Sequence, residues 1–427
     1  MTLTLKPATI LRGAVFLPAS KSYSIRAFLI ASRGGVSRII APSDCDDAKI
    51  AMSVARQLGA KVRRAGKSAW IIEAKGNRAG RGAVSVGESG TVLRFVLPLL
   101  PYHFKKVVVR GEGTLKGRPN HHLTRALRAQ GMKIRGAGAG ESVPIIFNGG
   151  SLKGGALRIQ GTVSSQFVSA LLIACPQLPG DTVLTITGPK VVSADYIVMT
   201  EQVLKKSGVR TARRSARSIR IKGRQTFKGL KRFTVPSDFG LAAFLMAAGA
   251  LNKSRVVLKG HLDRQLPQAD GRIFAFLKKM GVRFKMTRST IILKGPFKLK
   301  GGTFSLKDCP DLVPVMTVLA MFARGKTRLK DIAHARVKES NRISDLRREL
   351  LKAGAKIVER KSELIITPQP RYKTGVLLDP HRDHRMAMAF CVLGTRIGVR
   401  VKDIGCVSKS YPGFVKDFKR LGVKCRG

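Results

Sequence analysis

Residues 17–26 contain the side chains best suited to holding an anion. Ser20 is a favourable helix N-cap, so we expect a helix over residues 22–31. Lys21 and the first free backbone N–H groups would lie at the positive end of that helix. Arg26 would follow one turn further along the same face. The stretch predicts an anion-binding helix start, and a capped surface helix with two solvated cations is the alternative.

Two further helix starts carry an arginine that could contact an anion. Gly90 lies in the turn 87–91 before a helix with Arg94 one turn in, and glycine lets backbone amides approach a ligand closely. Arg118 precedes Pro119 on a loop that leads into another helix. An ordinary capped turn and a solvated loop arginine are the alternatives at these places.

Hydroxyl and amide side chains gather at two more helix starts. Ser164, Ser165 and Gln166 precede an apolar helix expected over residues 168–174. N-capping would use only one of the three, and the group suits a phosphate or a polyol. The corresponding residues of the second start are Ser193 and Tyr196.

Carboxylates among cations are candidates for proton transfer. Asp311 precedes an apolar helix expected over 312–323, where it could also be an N-cap. Glu339 lies between Lys338 and Arg342, in a segment expected to end a strand and open a helix. A carboxylate held among cations is ionised unless burial or a bound anion shifts its pKa, and it can exchange a proton.

The segment 379–389 places four titratable residues before an apolar helix, and Lys409 follows further on. Its His-Arg-Asp triplet resembles a kinase catalytic triplet, but the accompanying kinase motifs are absent. His381 and His384 have no third ligand nearby in sequence, so we expect no metal site. A Walker A sequence is also absent.

Composition narrows the class of protein. The 427 residues suit two domains, and 80 Lys+Arg against 25 Asp+Glu give a net charge of +55. Because the cations are spread along the chain and only 6% of residues are aromatic, a general surface bias is the first explanation. Attraction of anionic substrates is the second explanation, and nucleic-acid binding is the third.

Six cysteines lack C-x-x-C spacing, and the chain shows neither a signal peptide nor an apolar span of about 20 residues. These features predict a cytoplasmic protein with reduced thiols. Many anion ligands, few carboxylates and no nucleotide loop indicate an enzyme that joins or moves small anions by acid–base catalysis.

A glycine pattern recurs through the whole chain. A basic helix end, a glycine and then a small or apolar residue appear six times, with glycines 72, 77, 73, 73 and 68 residues apart. Each glycine fits the left-handed position after a helix, before a strand. The pattern predicts six α/β modules of about 70 residues that pack against neighbours. The glycines are Gly59, Gly131, Gly208, Gly281, Gly354 and Gly422.

These motifs, in this order, resemble the 5-enolpyruvylshikimate-3-phosphate (EPSP) synthase family over essentially the whole chain. The resemblance implies an α/β fold of two domains, each with three repeated α/β units about a pseudo-threefold axis. It assigns one domain to residues 20–235, on the shikimate 3-phosphate side, and the other to residues 1–19 plus 236–427. It also implies an active site in the cleft between the domains.

The family transfers the enolpyruvyl group of phosphoenolpyruvate to the 5-hydroxyl of shikimate 3-phosphate, with no metal or organic cofactor. The catalytic residues that the resemblance implies are Lys21, Asp311 and Glu339. The implied shikimate 3-phosphate ligands are Lys21, Ser22, Arg26, Ser164, Ser165, Gln166, Ser193, Tyr196, Asp311 and Lys338. The implied phosphoenolpyruvate ligands are Lys21, Gly90, Arg94, Arg118, Gln166, Arg342, Arg385 and Lys409. Asp311 would take the hydroxyl proton and Glu339 would protonate the methylene carbon. The resemblance implies a monomer that binds no membrane and no specific nucleic acid.

Three residues depart from the family's usual sequence, and two other classes of protein are alternatives. Ala19, Ile25 and Glu88 stand where the family usually has Gly, Asn and Asn. A UDP-N-acetylglucosamine enolpyruvyl transferase would have a Lys-Asn pair at position 21 and a loop cysteine, and neither is present. An RNA-binding or RNA-end-processing protein with a related α/β repeat is the other alternative. It would need a nucleotide site and a histidine near the C-terminus, whereas His384 is the last histidine.

Overall fold

The computed structural model describes residues 1–74 and 81–427, and the chain forms two compact units. The central unit comprises Ala19–Val235. The terminal unit comprises Met1–Pro18 together with Pro236–Gly427. In the described ranges no helix has the length and apolarity needed to cross a membrane.

Helices and strands alternate along both units. The helices are α1 (Lys21–Ala31), α2 (Asp46–Gln57), α3 (Gly90–Val96), α4 (Leu100–His103), α5 (His121–Ala129), α6 (Ser165–Ala174), α7 (Ala194–Lys206), α8 (Phe239–Leu251), α9 (Arg272–Lys279), α10 (Val313–Met321), α11 (Ser344–Lys352), α12 (His384–Ile397) and α13 (Phe414–Arg420). The strands are β1 (Leu3–Leu5), β2 (Leu11–Phe16), β3 (Val36–Ile40), β4 (Lys61–Arg64), β5 (Ala69–Glu73), β6 (Arg81–Ser85), β7 (Lys106–Arg110), β8 (Ile134–Ala137), β9 (Ser142–Phe147), β10 (Gly155–Gln160), β11 (Thr182–Thr187), β12 (Thr211–Ser215), β13 (Ser218–Ile221), β14 (Lys231–Thr234), β15 (Ser254–Lys259), β16 (Phe284–Met286), β17 (Thr290–Leu293), β18 (Thr303–Ser305), β19 (Thr327–Lys330), β20 (Lys356–Arg360), β21 (Glu363–Thr367), β22 (Val376–Leu378), β23 (Val399–Val401) and β24 (Cys425–Arg426).

The described strands form six four-stranded sheets of one design, three in each unit. In the sheet β10-β11-β13-β12, β10 and β11 run parallel, with Gly155 opposite Thr182, and α6 connects them. After α7, the hairpin β12–β13 adds two antiparallel strands. The other sheets of the central unit are β14-β3-β5-β4 and β6-β7-β9-β8. Those of the terminal unit are β16-β17-β15-β2, β18-β19-β21-β20 and β22-β23-β1-β24. The prediction of six α/β repeats is therefore confirmed.

The six repeat glycines end six corresponding helices, one in each module. All have positive φ, from 81° at Gly354 to 105° at Gly131. Because a side chain is strained at such φ values, glycine lets the chain leave the helix and enter the edge strand of its sheet. The predicted left-handed position is therefore correct in each module.

Buried helices form the centre of each unit. Every residue of α8 and α10 is buried, as are all of α12 except Arg396. In the central unit α1, α3 and α6 are buried over most of their length. A helix that is apolar on all sides must be covered on all sides. This packing fixes the N-terminal ends of these helices, where most of the predicted site residues lie.

One local prediction is wrong. The segment 338–342 does not follow a strand, because a 3-10 turn, Ala333–Val337, precedes it. Ion pairs from Arg342 and Glu339 hold the segment before α11. Ile25, the departure on α1, is fully buried, so an apolar side chain suits its position.

Candidate active site

The start of α1 provides the first cation of the central unit. Ser20 caps the helix, and its hydroxyl accepts a hydrogen bond from the Tyr23 amide at 3.4 Å, as expected from the sequence. Lys21, the first helical residue, forms a 3.0 Å ion pair with the buried carboxylate of Asp47 on α2. The ammonium is therefore held at the positive end of α1 by a residue that sequence reasoning missed.

Arg26 joins α1 to α7. Its Nε donates to the Thr200 hydroxyl at 2.8 Å, and its terminal nitrogens donate to the carbonyls of Ser22 and Tyr196 at 2.9 and 3.0 Å. The side chain is only 1% exposed, and burial lowers its pKa to about 10. Arg26 thus fixes the backbone around Ser22 and Tyr196, two other predicted ligands.

Arg94 joins α3 to α6 and to the loop before α5. It donates to Gln166 Oε1 at 2.6 Å, to Asn120 Oδ1 at 3.2 Å and to the Pro119 carbonyl at 3.3 Å. The Gln166 amide donates in turn to the Thr91 hydroxyl at 3.0 Å. Two residues predicted from separate motifs, Arg94 and Gln166, are therefore in direct contact.

Gly90 makes room for Arg118. A Cβ atom at Gly90 would lie 2.7 Å from the Arg118 guanidinium, which is 5% exposed. The buried Asn120 amide donates to the Arg118 carbonyl at 3.0 Å, so Asn120 positions both arginines of this group. The side chain of Glu88 lies against Gly113, on the loop that precedes Arg118.

The remaining polar residues of the central unit lie at two helix starts, as expected. The Ser164 hydroxyl accepts a hydrogen bond from the backbone N–H of Gln166 at 3.3 Å and caps α6. Ser165 is the first residue of that helix. Ser193 precedes α7 with a φ of 55°, and Tyr196 lies in the first turn. Ser164 and Ser165 therefore lie beside Gln166, which contacts Arg94, and Ser193 lies near Tyr196, which contacts Arg26.

Arg342 is the centre of the site residues in the terminal unit. It donates to Asp383 at 2.7 Å, to Asp311 at 2.6 Å and to Glu339 at 2.9 Å. The side chain is 1% exposed. Burial acts to lower the pKa of Arg342, but the three carboxylates outweigh burial and raise it well above its usual value. Both predicted proton-transfer residues are thus attached to one guanidinium.

Arg385 meets the same carboxylate from α12. Its guanidinium lies 2.9 Å from Asp311 and 3.6 Å from Asp270, a buried residue before α9. Gly240 on α8 leaves space for this group, because a Cβ atom there would lie 2.4 Å from Asp270 Oδ2 and 2.8 Å from Arg385. The N-terminal ends of α8, α10 and α12 therefore meet around Arg385, with their positive dipole ends together.

Asp311 is strongly ionised in this arrangement. Burial would raise its pKa, but Arg385, Arg342 and Lys338 outweigh burial and hold the pKa well below the usual value. Lys338 thus belongs to the same electrostatic group. Lys409 is buried at the end of the 3-10 segment Ile404–Lys409, which packs against α12.

The structure assembles the predicted residues into two sets, one in each unit. Sequence reasoning missed the buried partners Asp47, Asn120, Asp270 and Asp383. Asp383 also caps α12, its carboxylate accepting a hydrogen bond from the Arg385 amide at 2.9 Å. Asp383 could have been found from its position in the segment 379–389, directly before an apolar helix. Asn120 directly follows the predicted Arg118-Pro119 loop, whereas Asp47 and Asp270 lie in segments without a distinctive pattern.

Three α/β repeats in each unit, with cations at the starts of buried helices, define the fold of the enolpyruvyl transferases. The solved structure of EPSP synthase from Acinetobacter baumannii is similar to this chain with a TM-score of 0.79. The comparison covers 100% of this chain and 99% of that one. At 24% sequence identity this similarity establishes the fold.

The family follows from sequence similarity. The family model for EPSP synthase (3-phosphoshikimate 1-carboxyvinyltransferase) matches residues 5–418. Relatives named 3-phosphoshikimate 1-carboxyvinyltransferase, from Methanococcus aeolicus and Methanosarcina mazei, are 32% and 35% identical to this chain. Each comparison covers 97% of this chain and 97% of the relative. The chain belongs to the EPSP synthase family, and the resemblance seen in its motifs is confirmed.

Proposed function

We propose that the protein transfers the enolpyruvyl group of phosphoenolpyruvate to the 5-hydroxyl of shikimate 3-phosphate. The products are 5-enolpyruvylshikimate 3-phosphate and phosphate. The observation that carries this proposal is the Arg342 cluster, where two proton-transfer carboxylates, Asp311 and Glu339, contact one buried cation. Family membership over residues 5–418 supports the same reaction rather than RNA binding or transfer to a UDP-sugar.

Shikimate 3-phosphate would be held mainly by the central unit. The helix starts of α1, α6 and α7 offer hydroxyls, free amides and cations, which suit a phosphate and a polyol. Arg26 hydrogen-bonds to protein acceptors through three nitrogens, so part of its role is to position Ser22 and Tyr196. The proposed ligands are Lys21, Ser22, Arg26, Ser164, Ser165, Gln166, Ser193, Tyr196, Asp311 and Lys338.

Phosphoenolpyruvate would be held by arginine and lysine side chains. Its carboxylate and phosphate suit arginine, because the guanidinium can donate two parallel hydrogen bonds to such groups. Asn120 and Asp270 would position Arg94 and Arg385 for this task. The proposed ligands are Lys21, Gly90, Arg94, Arg118, Gln166, Arg342, Arg385 and Lys409.

The reaction needs three proton transfers. Asp311 takes the proton of the 5-hydroxyl as its oxygen attacks C2 of phosphoenolpyruvate, while Glu339, in its protonated form, gives a proton to C3. Return of a proton from C3 to Glu339 and departure of phosphate from C2 of the tetrahedral intermediate then restore the C2–C3 double bond. Lys21 would assist proton transfer.

Substrate binding would also adjust the basicity of Asp311. In the structure Arg385, Arg342 and Lys338 hold its pKa low. Phosphate and carboxylate groups that pair with these cations would offset their charge, so the pKa of Asp311 should rise when both substrates bind. The base is therefore weak without substrate and stronger with it.

We also propose that the enzyme works as a cytoplasmic monomer without a metal or organic cofactor. The six cysteines are unpaired thiols, as expected in a reducing compartment. Sedimentation of the purified chain would test the oligomeric state, and activity after dialysis against a chelator would test the metal requirement. A dimer, or activity that returns only with added metal, would contradict this part of the proposal.

Phosphate release provides the direct test of the reaction. Purified protein should release phosphate when shikimate 3-phosphate and phosphoenolpyruvate are both present, and neither substrate alone should give release. Glu339→Gln should still bind both substrates but turn over slowly, because it keeps a hydrogen-bonding side chain without a transferable proton. No release over a wide range of pH and salt concentration would refute the proposal, and unchanged turnover in Glu339→Gln would remove Glu339 from proton transfer.

A further inference from the structure

A cavity of about 470 Å³ lies in the central unit between α1, α2 and the β4–β5 hairpin. Its apolar wall includes Phe28, Met52 and Trp70, the single tryptophan of the chain. Phe28 is 2% exposed, whereas Trp70 is half-buried and offers part of its ring to the cavity. Small-molecule sites typically have volumes of about 300–1,000 Å³ and mainly apolar walls, so the cavity has the size and character of a ligand site.

Charged side chains at the mouth of the cavity are mostly cationic. Lys49, Arg64 and Lys67 line it together with one carboxylate, Asp44. The Arg64 guanidinium is held in place because it donates to the carbonyls of Gly66 and Lys67 at 3.2 and 3.0 Å. A fixed guanidinium beside an apolar wall favours a carboxylate, which can accept two of its hydrogen bonds at once.

We propose that this cavity binds a small aromatic carboxylate, a role beyond the proposed transfer reaction. The ring would pack against Trp70 and Phe28, where aromatic pairs are more favourable than their buried area alone suggests. The carboxylate would lie at Arg64 and Lys67. The substrates of the proposed reaction are not aromatic and carry several negative charges, so the apolar wall does not suit them.

Trp70 provides a direct measurement of binding on the full chain. Excitation at the red edge of tryptophan absorption isolates this residue from the tyrosines. 3-Phenylpropanoate should change the emission in a saturable way, whereas 2-phenylethylammonium and propanoate should not, because they lack the carboxylate and the ring respectively. A response of equal affinity to 2-phenylethylammonium, or no saturable response to 3-phenylpropanoate, would overturn the proposal.

Charge reversal at the mouth tests the position of the ligand. Arg64→Glu and Lys67→Glu should each weaken 3-phenylpropanoate binding at least about tenfold, since each removes a charge-assisted interaction and adds a repulsive one. Lys61→Glu is the matched control, because Lys61 is exposed on β4 of the same hairpin but does not line the cavity. Thermal unfolding would reveal whether Arg64→Glu disturbs the hairpin. In that case Lys49→Glu replaces it as the test, because Lys49 is a cation that lines the cavity from α2. Unchanged affinity in these variants would place the ligand elsewhere.

Competition distinguishes this cavity from the proposed active site. Saturating shikimate 3-phosphate and phosphoenolpyruvate should leave 3-phenylpropanoate bound at Trp70. Displacement of the probe by either substrate would mean that the probe occupies the active site, and the proposal would be wrong. The phosphate-release assay is independent of this result, so failure here leaves the proposed reaction untouched.

Discussion

Single residues set the chemistry through their buried partners. Arg342 contacts Asp311, Glu339 and Asp383 at once, so it fixes the acid and the base relative to each other. Asp383 is the partner without a proton-transfer role in the proposed reaction. It caps α12 and anchors the guanidinium, so it is a positioning residue.

Asp383→Asn should keep the helix cap but lose the charge that anchors Arg342. Asparagine is an equally good N-cap, so the fold should survive. We expect the free energy of unfolding to fall by about 3–5 kcal/mol, since removing one charge of a buried ion pair destabilises the fold by about that amount. We also expect kcat/KM to fall, because Arg342 loses one of the carboxylates that position it. Steady-state kinetics and thermal unfolding would measure both effects.

Asp345→Asn is the matched control for that variant. Asp345 pairs with Arg348 one turn further on α11, where the arginine side chain is 56% exposed. Exposed pairs of this kind contribute about 0–1 kcal/mol, so activity and stability should hardly change. Equal losses in the two variants would show that Asp383 has no special role.

The cations of the site were predictable from sequence, but their acidic partners were not. Lys21 and Arg94 lie in helices that begin at recognisable serine caps, and Arg342 lies in a segment with a conspicuous charge pattern. Asp47 pairs with Lys21, and Asp270 pairs with Arg385. Each pair forms only because segments that are separated in the chain pack together. The burial of Ile25 could not be predicted either, because it depends on the elements that cover α1.

At the scale of elements, the buried helices position site residues at their N-terminal ends. α8, α10 and α12 are packed on all sides, so their first turns cannot shift without disturbing the core. Gly240 is the point where α8 approaches the Asp270–Arg385 pair. This closeness makes α8 sensitive to the smallest added side chain.

Gly240→Ala should therefore impair the phosphoenolpyruvate site. The added methyl group would overlap Asp270 and Arg385 and force the pair apart. We expect KM for phosphoenolpyruvate to rise about tenfold, because a displaced charged group loses interactions of about 1.5–3 kcal/mol. The KM for shikimate 3-phosphate should change much less.

Gly249→Ala provides the comparison within the same helix. Its added methyl group would meet the Leu293 side chain at 2.6 Å, away from any charged site residue. This variant should lower the thermal midpoint without a selective effect on phosphoenolpyruvate. A similar rise in KM in both variants would argue for general loosening of α8 instead.

Much of the element pattern could be predicted because each module repeats the same local signals. Six glycines marked helix ends, and the continuous apolar runs marked buried helices such as α8. The order of strands within a sheet could not be derived this way. It depends on which distant strand supplies the parallel partner, and neither the glycine pattern nor the family resemblance included it.

At the scale of the whole molecule, the positive net charge and the buried titratable groups determine how salt and pH affect stability. With 80 cationic and 25 acidic side chains, at least 55 Lys and Arg residues have no acidic residue of their own. Their mutual repulsion favours the expanded, unfolded chain. The sequence predicted this excess directly, although its biological purpose does not follow from the fold.

Added salt should consequently stabilise the protein while weakening its substrates' binding. Screening shortens the range of repulsion from about 30 Å at 0.01 M to about 8 Å at 0.15 M ionic strength. We expect the thermal midpoint to rise over this range, and KM for both anionic substrates to rise as well. Scanning calorimetry and kinetics with sodium chloride would measure these opposite effects. A thermal midpoint that falls with salt would contradict the argument.

A buried histidine should make the central unit sensitive to acid. His103 Nε2 lies 2.8 Å from the Arg33 guanidinium, and burial, followed by the Arg33 charge, lowers the pKa of His103 to about 3. The unfolded chain takes up this proton near pH 6.5 and the folded chain does not. The contribution of His103 to stability should thus be constant above about pH 6.5 and fall by about 1.4 kcal/mol per pH unit below it, down to about pH 3.

His103→Gln should remove this part of the acid sensitivity, since glutamine can still accept a hydrogen bond from Arg33 but does not titrate. Urea unfolding at a series of pH values would give the slopes. His261→Gln, at an exposed histidine of the terminal unit, should leave the slope as it is. An unchanged slope in His103→Gln would assign the acid sensitivity to other groups.

The sheet order has a consequence for synthesis on the ribosome. The central unit completes its first sheet with β14, which ends at Thr234, so it can fold while the rest of the chain is still being made. The terminal unit contains β1, whose partners are β23 and β24 at the other end of the chain. The first strand translated must therefore wait for the last, and a nascent chain arrested once Thr234 has left the ribosome should hold a folded central unit with unpaired β1 and β2.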